Sequence, residues 1–166
     1  MNRPNLEGME REDAQNAEAY GRHQSMSPEE RRAAEWDCQK VIIDFFRHLD
    51  ERRHDALSKL FHPQGLWLRQ GKELRSREQV VAVLDARPTS LLIHHLVTNI
   101  QIEVSEGTAT LNCYLLVVRD EEGAIKPKPL PLRAQGIYCC TGELERTQEG
   151  WQIKHLVAGT PTFQVG

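Results

Sequence analysis

Apolar positions change their spacing partway along the chain, dividing it into a helical first half and a stranded second half. Residues 1–26 carry almost nothing to bury and read as a flexible N-terminal arm. At Ser27-Pro28-Glu29-Glu30 the chain offers a capping serine, a proline suited to the first helical turn and a glutamate that completes a capping box. Ala34, Cys38, Val41 or Ile42, Phe45 and Leu49 then recur every three to four residues, the buried stripe of a long helix ending at Asp50. A second, short helix is predicted through Ala56, Leu57, Leu60 and Phe61 and stopped by His62-Pro63. Gly65 to Gln70 reads as a short strand. Ser76 and Gln79 form another capping box, opening a third helix through Val80, Val81, Val83 and Leu84 that Pro88 forbids from continuing.

Beyond Leu91 the period falls to that of strands. Leu91–Val104, a turn at Ser105-Glu106-Gly107 and Thr108–Arg119 predict an antiparallel hairpin. Ile125–Pro131 is too rich in proline for a central strand and reads as a connector at a cavity rim. Strand character returns over Leu132–Glu145 and, after a turn near Gly150, over Trp151–Val157. Helices followed by a meander predict an α+β fold, a curved antiparallel sheet packed on three N-terminal helices, in a single domain over residues 27–166.

The hairpin holds the anomaly. His94 and His95 interrupt an apolar run, and strand residues alternate between faces, so at most one imidazole enters a given cavity. Strict alternation puts His94 with Leu96, Ile100, Ile102 and Val104, and so inward. A bulge at Thr98-Asn99 reverses that parity and turns His95 inward instead.

Composition narrows the chemistry. In 166 residues the formal net charge is −3, so no broad basic surface for nucleic acid is expected. No apolar run reaches the roughly 20 residues of a membrane span, and the amino terminus is too polar for a secretory signal. A cytoplasmic location is the expectation. Cys38, Cys113, Cys139 and Cys140 lack metal-ligand spacing and read as buried, inert thiols. His48, His54 and His62 are poorly spaced for one helical face, no HExxH is present, and no metal site is expected. Without a phosphate-binding loop, a GxGxxG or a GxSxG, no cofactor is expected either.

In their order and spacing, VIIDFFRHLDERRHDALSKLFHPQGLW, HHLVTNIQIEV, TATLNCYLLVVR and EGWQIKHLV resemble the SnoaL-like branch of the nuclear-transport-factor-2-like superfamily. The resemblance covers roughly Ala34 to Phe163. It implies a cone-shaped α+β roll with a pocket between helices and concave sheet, and a homodimer through the outer sheet face. Scytalone dehydratase, hexachlorocyclohexane dehydrochlorinase and bile-acid dehydratase, members of that superfamily, pair an Asp of the first helix with a His of the sheet. By the helix-end pattern FRHLDERRHDAL that Asp corresponds to Asp50, and by the His-x-x-x-Asn pattern that His corresponds to His95, with His94 the alternative.

The departures from this pattern are equally specific. Phe45 stands where some members carry a Tyr or Lys that assists the leaving group. Leu115-Leu116-Val117-Val118 replaces a polar middle strand, and after Trp151 come Lys154 and His155 but no arginine to grip a carboxylate. The pocket expected is therefore apolar, walled by Phe45 and Trp67, with Tyr114 and Tyr138 as hydrogen-bond donors. Two functions follow from the resemblance. One is a cofactor-independent lyase or isomerase, dehydratase-like, acting on a hydrophobic cyclic small molecule. The other is a non-catalytic ligand-binding or structural subunit similar to the small subunit of ring-hydroxylating dioxygenases.

Overall fold

Helix α1, Pro28–Asp50, forms where the sequence stripe places it. Ser27 caps it, its side chain accepting from the Glu30 amide while the Glu30 carboxylate accepts from the Ser27 amide. The computed structural model describes residues 26–164, so the predicted arm lies outside the described residues apart from Met26. Every predicted stripe residue of α1 is buried, joined by Phe46. The second helix, α2 (His54–Lys59), ends earlier than its apolar pattern suggests. Phe61 begins strand β1 (Phe61–Arg69), which runs through His62 and Pro63. The helix has ended before the expected stop at His62-Pro63, and the proline is instead tolerated in the strand that follows, where β1 and β6 shift register between Phe61 and Leu66.

A two-residue turn at Gln70-Gly71, with φ of 51° and 76°, leads into strand β2 (Lys72–Leu74), which the sequence did not announce. Positive φ at both positions is the hairpin geometry that matches strand twist and makes glycine suitable at the second. Helix α3, Arg77–Asp85, starts at Ser76, whose hydroxyl accepts from the Gln79 amide. The Gln79 side chain instead accepts from the Arg75 amide, so the box is displaced by one residue. Strands β3 (Leu92–Ser105), β4 (Thr108–Asp120), β5 (Ala134–Thr147) and β6 (Gly150–Gln164) form the meander. Between β4 and β5 the proline-rich stretch is irregular, as predicted, but none of residues 125–131 lines the cavity between helices and sheet.

The sheet is six-stranded in the order β2-β1-β6-β5-β4-β3. All pairs are antiparallel except β1 with β6, which run parallel and so correct the expectation of a wholly antiparallel sheet. Register shifts interrupt four of the five pairings, each a site where the sheet bends. One apolar cluster fills the space between the helices and the inner face, with Ile42, Phe45 and Phe46 of α1 against Leu111 and Leu115 of β4 and Leu156 of β6. Phe45 meets Phe46 and Trp67 edge to face, with centroids 5.3 and 5.2 Å apart. Phe45 is fully buried in this core, and truncating such an aromatic to alanine costs about 3–5 kcal/mol.

Candidate functional site

The parity of β3 changes where Thr98-Asn99 stands. Asn99 has φ 53°, and the β3–β4 register shifts between Thr98 and Gln101. Ile93, His95 and Val97 face inward before that bulge, and Ile100, Ile102 and Val104 after it. His95 is thus the inward imidazole, its side chain 11% exposed, whereas that of His94 is 60% exposed.

Asp50 reaches His95 from the last residue of α1. Its Oδ1 lies 2.6 Å from His95 Nδ1, and its Oδ2 accepts the His95 backbone amide at 2.7 Å. Two short charge-assisted bonds hold this carboxylate at 10% exposure. The position is unfavourable for a helix, since an anion at a C-terminus opposes the macrodipole, so the carboxylate is held by β3 rather than by its own helix. His94 Nδ1 stands 3.9 Å from the other oxygen. With Nδ1 committed to Asp50, Nε2 is the ring nitrogen left to the cavity. Phe46 lies against the ring, centroids 5.2 Å apart at 36°.

The chain beyond Asp50 is fixed by an unusual residue. Arg52 adopts φ 57°, and the Arg53 amide turns back to the His48 carbonyl at 2.9 Å, closing the helix end. The Arg52 guanidinium donates to the carbonyls of Arg87 (2.8 Å) and Pro88 (3.1 Å), tying the end of α1 to the segment before β3.

His95 lines a cavity of about 610 Å³ between helices and sheet. That volume suits a small organic molecule. Asp50 stands behind the wall. Trp67 and Tyr138 line the cavity as expected, but Phe45 and Tyr114 do not. Phe46 takes the wall position, with Phe45 in the core behind it. Tyr114 sits opposite Cys139 on β4 and points to the outer face, 45% exposed, where Asn99, Gln101 and Asn112 border a smaller hollow of about 340 Å³. Leu115, the next residue, takes the inner side opposite Tyr138.

The cavity is also less apolar than expected, because Arg69, Arg87 and Arg119 line it. Desolvation pulls the Arg87 guanidinium down to about 10, helped by the charges of Arg69, Arg52 and Arg119. Arg69 is lowered by desolvation and then by Arg119, and its guanidinium lies 5.6 Å from the Trp67 ring centroid. Alternation carried the signal: in LWLR and LVVR each arginine falls two residues after an inward Trp67 or Val117 and shares its face. A second imidazole–carboxylate pair, His54 Nδ1 to Asp85 Oδ1 at 2.5 Å, clips α2 to α3 outside this cavity. Among the described residues no group of three or more His, Cys, Asp or Glu is placed to hold a metal. No described helix is long and apolar enough to cross a membrane.

With three helices over a curved sheet and a cavity between them, the fold and site define the class: the chain belongs to the SnoaL-like domain family, which matches residues 30–157. A protein of the NTF2-like group with a cystatin-like fold from Novosphingobium aromaticivorans superposes with TM-score 0.65 at 19% identity, over 75% of this chain and 80% of that one. One from Catenulispora acidiphila, solved in complex with S-DNPA, gives 0.62 at 18%, over 75% and 91%. ActVI-ORFA from Streptomyces coelicolor gives 0.60 at 16%, over 73% and 92%. No curated protein matches the sequence significantly.

Proposed function

We propose that the chain is a cofactor-independent lyase or isomerase in which His95 Nε2 removes a proton from carbon beside a carbonyl or ring of a hydrophobic cyclic small molecule. The observation that carries this reading is the 2.6 Å contact between Asp50 and His95 at a cavity wall. Asp50 holds Nδ1 protonated, fixes the ring and balances the charge that His95 gains when it takes the proton. Asp50 is a positioning residue, because the ring stands between it and the cavity. Tyr138, which lines the cavity, is the donor that would polarise a carbonyl.

The test follows deuterium uptake from D₂O at carbons beside the carbonyl in a panel of hydrophobic cyclic ketones that includes 1-tetralone. His95→Ala is expected to lower the catalysed exchange by about 10²- to 10⁴-fold while moving unfolding by no more than about 1–2 kcal/mol. Asp50→Asn should lower the rate constant with little change in ketone affinity. Exchange that persists in folded His95→Ala, or that the parent does not catalyse for any ketone, sinks the reading.

The second reading is a non-catalytic receptor or structural subunit. It is favoured by the lining, in which no described residue is a carboxylate, and by the burial of Phe45 where an acid partner would stand. Copurification with a large Rieske-type subunit supports it, and a catalysed exchange that depends on His95 excludes it as the whole account.

A further inference from the structure

The proposed general base leaves the arginines unexplained. Taking guanidinium groups out of water is costly unless an opposite charge or a full set of acceptors replaces the lost hydration. Among the described residues no carboxylate lies within ion-pair distance of Arg69 or Arg87, although the charge of Asp50 offsets part of the repulsion at Arg87. Arg119 has one, the exposed Glu121 at 2.7 Å from Nη2, but its Nε is buried with no partner. The indole Nε1 of Trp67, beside Arg69, is likewise a buried donor without an acceptor. Three cations and two orphan donors therefore belong to side chains of one cavity wall, and the cations repel one another. Such an arrangement is unfavourable in the empty protein and becomes favourable when an acceptor of opposite charge enters. A planar guanidinium donates two parallel bonds to a carboxylate or phosphate, so the wall carries donors suited to an oxyanion as well as the charge.

We infer that the cavity selects an anionic ligand: a molecule with an apolar cyclic body and one oxyanion, carboxylate or phosphate, seated on Arg69, Arg87 and Arg119. The inference rests on the reading of this cavity as the ligand site and adds the substrate class. It concerns binding, so it can be tested apart from proton removal. In the lyase or isomerase reading, the same cations also stabilise negative charge that develops when His95 takes a proton.

The test measures affinity by titration calorimetry for 2-naphthoate, 2-naphthyl phosphate, the neutral 2-naphthamide and inorganic phosphate alone. At least one naphthyl anion is expected to bind ten-fold or more tightly than the amide, and whichever binds tighter tells carboxylate from phosphate. That preference should shrink as salt is raised. In Arg87→Gln and Arg119→Gln it should fall below about three-fold, and ligand-free Arg87→Gln should melt no lower than the parent, since a repelled charge has been removed. Equal affinity of anions and amide, a preference that survives in both variants, or inorganic phosphate binding as tightly as naphthyl phosphate overturns the inference. The parent salt series decides it even if a variant does not fold. The anion preference is expected to persist in His95→Gln, so loss of catalysed exchange with retained preference defeats the base reading alone, and the converse defeats this one alone.

Discussion

Arg52 shows how much of the site hangs on a single backbone conformation. A non-glycine residue in the left-handed region carries a steric cost of roughly 1–2 kcal/mol, here offset by two side-chain hydrogen bonds to the carbonyls of Arg87 and Pro88. Arg52→Ala keeps the cost and loses the bonds, so it should destabilise by about 1–2 kcal/mol in urea unfolding. Arg52→Gly loses the same bonds but relieves the backbone, and should come out about 1 kcal/mol more stable than the alanine variant. Equal stability of the two would show that φ carries no penalty here. At the same scale the sequence was most informative about Asp50 and His95, because a helix end and a bulge leave local marks. Tyr114 and Phe45 were misplaced because one position along a strand or helix decides which side chain reaches a cavity. Their neighbours Leu115 and Phe46 took the places expected of them. The family pattern places a charged partner after Trp151, whereas the cavity arginines lie at the ends of β1 and β4 and beyond α3.

Elements form where local chemistry and the tertiary environment agree. The capping box of α1 makes Ser27→Ala a measurable lesion, about 1 kcal/mol in urea unfolding, with no expected effect on ligand affinity because the cap sits at the opposite end from Asp50. The long strands were readable from alternation, and the bulge at Thr98-Asn99 from the conflict between alternation and the histidine pair. Strand β2 and the first half of β1 were not, because three residues are too few to show a period and His62-Pro63 looks like a terminator. Both are held by pairing with neighbours, β2 with β1 and β1 with β6, a non-local contact that no window of sequence contains. The parallel pairing of β1 with β6 was hidden for the same reason.

For the molecule as a whole, the helical layer and the sheet share one core, and the thiols are part of it. Cys38, Cys113 and Cys140 are buried and Cys139 is half-buried. Burial pushes the Cys38 thiol up to about 12, and Cys140 is raised by its hydrogen bond with Cys113 and by burial. A raised thiol pKa keeps the reactive thiolate scarce at neutral pH. With a disulfide reagent near pH 8, the native protein should therefore expose at most the Cys139 thiol on the time scale of minutes, and all four after denaturation. Rapid native labelling of Cys38 would mean that α1 lifts from the sheet.

The side chain of Arg52 couples two parts of the chain, the helix terminus that aims the imidazole and the segment that presents Arg87. Clamped together, they act as a gauge. In the proposed function, the distance between the atom that gives up its proton and the group that bears the negative charge is then set by the protein, which would favour molecules of matching length.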